Sequence, residues 1–166
     1  NNGISYLNHI KSHRVKQSIK NKSLATNDFS QIDLVDVIII CVPTPLGLHN
    51  EPDLSFIKST MDNIIPYLNA GQILVLESTS YPCTTEEELV PLIKNSGFKI
   101  GQDFFVGYSP EREDPGNVQF STKTIPKVVS GVTNNCLELI EEVYMQIIDE
   151  TVPVSSTRVA EMTKIL

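Results

Sequence analysis

At 166 residues, 40% of them hydrophobic, the chain is long enough to enclose one sizeable core. Twenty acidic against thirteen basic residues leave a net charge of -7, which argues against nucleic-acid binding, because that rests on neutralising phosphates with Lys and Arg. No apolar run reaches the roughly 18 residues of a membrane span, and three cysteines, an odd number, fit a reducing cytoplasm better than a disulfide framework.

Residues 1–22 read as a basic helix and its exit, with Ile4, Leu7 and Ile10 on one side and Lys11, Arg14, Lys16, Lys20 and Lys22 as a solvated face. His9 and His13 are exposed helix histidines in this reading. With His49 they are not placed beside Cys or Glu as a ligand set, so no metal is expected. Residues 24–26 are a short strand candidate closed by Asn27 and Asp28. Residues 35–42 (VDVIIICV) form the clearest strand, ended by Pro43. Its lack of polar alternation predicts cover on both faces, the mark of a parallel sheet flanked by helices. Cys41 in this run and Cys136 further on read as small core residues.

A helix is expected over residues 53–67, where Leu54, Ile57, Met61, Ile64 and Ile65 recur at helical spacing, and a strand over 72–76. Thr84 or Thr85 caps the next helix, whose first turn carries Glu86, Glu87 and Glu88. Strands follow over 103–108 and 127–131. Thr133 caps a helix over 134–148, with Leu137, Ile140, Val143, Tyr144 and Ile147 facing inward. A short strand over 152–154 precedes a helix opened by Ser156 or Thr157. Alternation of strands and helices predicts an α/β fold, a partial doubly wound sheet that is mostly parallel and carries helices on its faces. No GxGxxG turn opens the chain and its last helix has no stop signal, which reads as an internal fragment lacking the first βαβ unit.

Ligands of such sheets lie at the strand carboxyl ends, and three of those ends carry distinctive loops. The first, Val42-Pro43-Thr44-Pro45-Leu46-Gly47, is stiffened by prolines that present the hydroxyl of Thr44. A plain strand exit is the other account of it. The second, Glu77-Ser78-Thr79, offers the Thr79 hydroxyl to ribose, phosphate or water, and the helix start near Thr84 offers free N–H groups to an anion. Cys83 sits at that helix start, but three glutamates oppose its thiolate, so it is not read as a nucleophile. The third loop, residues 109–117, brackets Glu111, Arg112, Glu113 and Asp114 with prolines, more charge than a turn requires. Arg suits bidentate binding of phosphate or carboxylate, and a carboxylate at a strand end suits proton transfer. A salt-bridged surface loop is the alternative.

Together, Val42-Pro43-Thr44-Pro45, Pro52-Asp53-Leu54-Ser55, Glu77-Ser78-Thr79, Ser109-Pro110-Glu111-Arg112 and Ala160-Glu161-Met162-Thr163-Lys164 resemble, in order and spacing, the UDP-glucose and UDP-N-acetylhexosamine 6-dehydrogenases. The resemblance implies a two-step, NAD-dependent oxidation of the sugar C6 alcohol to a carboxylate for surface polysaccharide synthesis. In that family a cysteine attacks the intermediate aldehyde, and its place lies beyond residue 166. The resemblance assigns Thr44, Ser78 and Thr79 to NAD, with Thr79 also near the reacting water. Glu111 matches a proton-transfer glutamate, and Glu111, Arg112, Glu113, Asp114 and Pro115 a segment lining the sugar nucleotide. Lys164 matches a lysine that contacts substrate and stabilises an oxyanion or moves a proton. Cys83 departs from the family, which commonly has glycine there.

The resemblance also implies a cytoplasmic enzyme, homodimeric when complete, with UDP-N-acetylhexosamine or UDP-hexose as substrate and neither nucleic acid nor membrane as partner. Residues 1–156 would be the carboxyl-side part of the NAD-binding domain, and 157–166 the start of a long connecting helix. Alone, this stretch is expected to be inactive, with the strand over 35–42 exposed at one sheet edge. A non-catalytic α/β fragment that self-associates through that edge is the alternative of a different class.

Overall fold

The computed structural model describes residues 2–7, 10–47, 51–111 and 123–164. Its centre is a five-stranded sheet in the order β1 (Val37–Ile40), β2 (Ile73–Leu76), β3 (Phe105–Tyr108), β4 (Lys127–Gly131), β5 (Thr151–Pro153). β1, β2 and β3 are parallel, β4 runs antiparallel to β3, and β5 is parallel to β4. Helices α1 (Ser12–Lys20), α2 (Ser55–Ile64), α3 (Val90–Asn95), α4 (Asn134–Met145) and α5 (Thr157–Met162) complete the frame.

Strand periodicity divides the core in two. Leu74 and Leu76 of β2 join Ile38, Ile40, Val106 and Tyr108 in one cluster with Ile57, Met61 and Ile64 of α2, Ile93 of α3 and Ala160 of α5. Ile73 and Val75 turn to the other face, against Cys136, Ile140 and Tyr144 of α4. β2 is therefore buried along its whole length, as its unbroken apolar run requires. Each fully buried aliphatic side chain contributes about 2 kcal/mol of transfer free energy. Helices thus cover both sheet faces, the doubly wound α/β arrangement expected from the sequence.

β3, β4 and α4 approach closely because they meet at glycines. A Cβ on Gly107 would lie 2.0 Å from the Ser130 carbonyl oxygen, and one on Gly131 2.2 Å from the Leu137 nitrogen.

Several expectations need correction. β1 is covered on one face only: Ile38 and Ile40 are buried, whereas Ile39 is 43% exposed on the other. β1 forms the sheet edge, as expected, and Cys41 just beyond it is exposed rather than a core residue. Residues 24–26 form no strand, being exposed and without a neighbouring strand to pair with. The first helix spans only Ser12–Lys20 and buries no residue. The helix expected to 148 ends at Met145, and beyond it Ile148 is buried while Ile147 is 57% exposed. The Thr133 cap forms, its hydroxyl accepting from the Cys136 N–H, and Ser156 rather than Thr157 caps α5.

Candidate active site at the strand carboxyl ends

Pairing of Ile40 with Leu76, and of Leu76 with Tyr108, brings three strand ends abreast. The residues that follow, Cys41, Glu77 and Ser109, therefore stand side by side, and the three polar loops leave the sheet from one edge. Sequence spacing alone does not reveal this convergence; parallel register creates it.

On the β1 exit, the Thr44 hydroxyl oxygen is buried and has no hydrogen-bond partner among the described residues. A covered hydroxyl of that kind at a strand end is suited to a hydroxyl or phosphate oxygen of a ligand. On the β2 exit, Thr79 is exposed, and its side chain faces solvent at the strand end. Ser78 behaves differently. Its hydroxyl accepts from the Val42 N–H at 2.8 Å and donates to the Ile40 carbonyl at 3.3 Å, tying the β1 and β2 exits together.

On the β3 exit, Ser109 donates to the Val128 carbonyl at 2.6 Å and Pro110 is buried, leaving Glu111 exposed beyond them. Lys164, just past α5, donates to the Glu111 carbonyl oxygen at 2.5 Å, so these two candidates meet across 53 residues of sequence. Arg112, Glu113, Asp114 and Pro115 lie outside the described residues.

The helix after β2 starts differently from the expectation. Thr84 is already helical and neither Thr84 nor Thr85 caps with its side chain; a π-helical turn, Thr85–Leu89, leads into α3. The cap comes from Glu161 on α5. Its buried carboxylate accepts from the Cys83 N–H at 2.5 Å, the Thr85 N–H at 2.8 Å and the Thr85 hydroxyl at 2.7 Å. The anion site read at this helix start is thus filled by the protein's own carboxylate. Arg158 and Thr157 add bonds to Glu86, at 2.8 and 3.1 Å, which fasten α5 to the same turn. Cys83 has φ +83°, so it keeps a backbone conformation natural to glycine despite its Cβ. Its thiol pKa is raised, chiefly by desolvation, with Arg158 opposing and Glu87 reinforcing the shift. That agrees with a thiol that is not a nucleophile.

Behind the exits lies a polar cluster that sequence reasoning missed. Glu77 and Lys127 form an ion pair at 2.9 Å, both side chains nearly buried, and the Tyr144 hydroxyl donates to the same Glu77 oxygen. Glu77 was visible as part of a motif and Lys127 as the start of a strand, but only the antiparallel β4 brings them together. The Tyr108 phenol is pushed up to about 12, mainly by burial, with the nearby Ser80 hydroxyl partly offsetting it. Neither of those two hydroxyls makes a hydrogen bond of normal geometry among the described residues.

Cys41 borders this cluster, its thiol 3.7 Å from the second Glu77 oxygen. Desolvation and the Glu77 charge push its pKa up to about 11. At pH 8 only about one thiol in a thousand is then ionised, so Cys41 should alkylate slowly although exposed. Peptide-resolved iodoacetamide labelling should give a rate that climbs towards about pH 11 and rises at pH 8 on Glu77→Gln. A rate already saturated at pH 9 would contradict this assignment.

A mostly parallel sheet with helices on both faces and hydroxyl and acidic groups at three aligned strand ends defines a nucleotide-binding α/β domain. Residues 1–148 match the model of the UDP-glucose/GDP-mannose dehydrogenase family, NAD binding domain. The chain belongs to that family, and NAD is the cofactor of its domain. Among curated relatives, Protein CapL of Staphylococcus aureus is 42% identical over 154 residues, covering 91% of this chain and 36% of CapL. The UDP-N-acetyl-D-glucosamine 6-dehydrogenase of Salmonella typhi is 43% identical over 143 residues, 85% of this chain and 34% of that protein. The structure of a UDP-D-ManNAc dehydrogenase from Pyrococcus horikoshii superposes with a TM-score of 0.90 at 28% identity, covering 99% of this chain and 40% of that one. The chain thus spans about a third of the length of the curated relatives it matches. Among the described residues no helix is long and apolar enough to cross a membrane.

Proposed function

We propose that the chain is the carboxyl-side part of the NAD-binding domain of a cytoplasmic UDP-N-acetylhexosamine or UDP-hexose 6-dehydrogenase that serves surface polysaccharide synthesis. In this reading residues 1–156 belong to the domain, 157–166 begin a long connecting helix, and the complete protein is a homodimer. The observation that carries it is the alignment of the three strand exits at Ile40, Leu76 and Tyr108, with Lys164 drawn to Glu111. The names of the relatives favour an N-acetylated UDP-hexosamine over UDP-glucose.

NAD supplies the electron acceptor. The residues divide the remaining work. The unpartnered Thr44 hydroxyl and exposed Thr79 bind on the cofactor side, and Ser78 holds the two exits in register for them. Thr79 also orders the water of the second step. Glu111 moves the proton of the C6 hydroxyl and of that water. Arg112, Glu113, Asp114 and Pro115 line the sugar nucleotide with Glu111, Arg112 as an anion clamp. Lys164 places a cation where negative charge develops on the sugar oxygen. The thiol nucleophile comes from outside these 166 residues.

The test is NADH absorbance with the full-length protein and a panel of UDP-hexoses and UDP-N-acetylhexosamines, run beside the isolated 166-residue chain. NADH is expected from the former and none from the latter. Absence of NADH from the full-length protein with every UDP-sugar would refute the reading. For the isolated chain, the open β1 edge with exposed Ile39 favours self-association over catalysis.

A further inference from the structure

The Glu77–Lys127 pair takes no part in the chemistry proposed above, yet it touches every strand exit that does. Its side chains are only 11% and 8% exposed. A buried ion pair is poor evidence of a stability role, because well-packed apolar residues often serve as well or better. Its second contacts are more telling. Lys127 Nζ also donates to the Pro110 carbonyl oxygen at 3.2 Å and lies 5.2 Å from the centre of the Tyr144 ring. Glu77 accepts from Tyr144 on one oxygen and from Cys41 on the other, and the next two residues are Ser78 and Thr79.

The Pro110 carbonyl belongs to the peptide plane from which Glu111 departs. That plane is rigid, and the Pro110 ring fixes φ on its other side. Holding this one oxygen therefore sets the direction in which the Glu111 backbone leaves the sheet. The next peptide plane is held too, by Lys164 on the Glu111 carbonyl. Two lysines from opposite sides of the fold thus hold two consecutive carbonyls around one carboxylate-bearing residue.

We propose that Lys127, anchored by Glu77, is a positioning residue that clamps Pro110 and so sets the place of Glu111 relative to Thr79. The inference rests on the function proposed above for the meaning of Glu111, but the clamp itself does not. Glu77 supplies the countercharge that keeps Lys127 buried and aimed. Because Glu77 directly precedes Ser78 and Thr79, the same pair fixes the distance between the cofactor-side and sugar-side exits.

The test uses the full-length protein with Glu77→Gln, Lys127→Met and the double variant. Each single variant leaves a lone buried group and is expected to fold less well. The double variant removes both charges and should recover most of that loss. It lacks the Pro110 clamp, so kcat should remain at least about tenfold below wild type, while KM for NAD stays within about threefold. Amide exchange at Ser109, whose N–H donates to the Leu76 carbonyl, should quicken about tenfold in both Lys127 variants. Wild-type exchange at the Ser109 amide in the double variant would overturn the clamp. So would a kcat within about twofold of wild type, or a rise in KM for NAD matching the fall in kcat, which would mark general loosening. A wild-type protein that makes no NADH would instead refute the proposed function, and the exchange rates alone would then decide the clamp.

Discussion

Glu161→Ala is expected to destabilise the fold by about 3 kcal/mol, measured by equilibrium urea unfolding, because it orphans three donors at once. The Cys83 and Thr85 N–H groups and the Thr85 hydroxyl all point at this carboxylate, and Thr85 is fully buried. Their turn is costly to hold without it, since a non-glycine residue at φ +83° carries a penalty on the order of 1 kcal/mol. Glu161→Gln should fall between the two. It keeps one acceptor oxygen but turns an NH2 group towards a backbone N–H that needs an acceptor, for a cost of about 1–2 kcal/mol. A loss below about 1 kcal/mol for the alanine variant would show that water replaces the carboxylate, and that α5 does not depend on this bond.

The second large effect concerns catalysis. In the full-length protein, Lys164→Met is expected to lower kcat about 100-fold or more, with KM for the UDP-sugar changed by less than about threefold. Lys164 stands in the turn that ends α5, and its N–H donates to the Glu161 carbonyl at 3.3 Å, so the positions of the two residues are linked. Pinning the carboxylate to the Cys83–Thr85 turn delivers the ammonium to Glu111. Glu111→Gln should cost a similar factor, on the order of 100-fold, because the amide retains the shape of the side chain but cannot take up a proton. Steady-state kinetics on the two variants and their combination would check both. A Lys164→Met enzyme within threefold of wild-type kcat would remove the lysine from the proposed chemistry, leaving it a support for the Glu111 backbone.

The β2 and β4 strands, the α4 cap at Thr133 and the polar strand exits at Val42, Glu77 and Ser109 were legible because they depend on local signals: apolar runs, a capping threonine, prolines beside polar residues. β1 was misread on cover, since an apolar run states what a strand prefers to bury and not what is present to bury it. Ile39 meets that preference with 43% exposure. The strand over residues 24–26 failed for a related reason: a strand needs a partner, and residue spacing cannot supply one. The cap on α3 was assigned to Thr84 or Thr85, the residues nearest in sequence, whereas Glu161 arrives from 76 residues away. Glu161 had one usable sequence signal, an acidic residue at the inward-facing step of an apolar helix pattern next to Ala160. Lys127 had none, because a lysine at the start of a strand is ordinarily solvated, and only the antiparallel return of β4 buries it.

The central claim is that these strand exits form one wall of a site that oxidises a UDP-sugar alcohol fully to the acid. The most direct measurement is the end-point stoichiometry of the full-length protein: UDP-N-acetylhexosamine limiting, NAD in excess, NADH counted by absorbance and the sugar product by mass. The account predicts two NADH per sugar and a product carrying a C6 carboxylate. One NADH per sugar with an aldehyde product, or NADH formed at equal rates without any UDP-sugar, would contradict it.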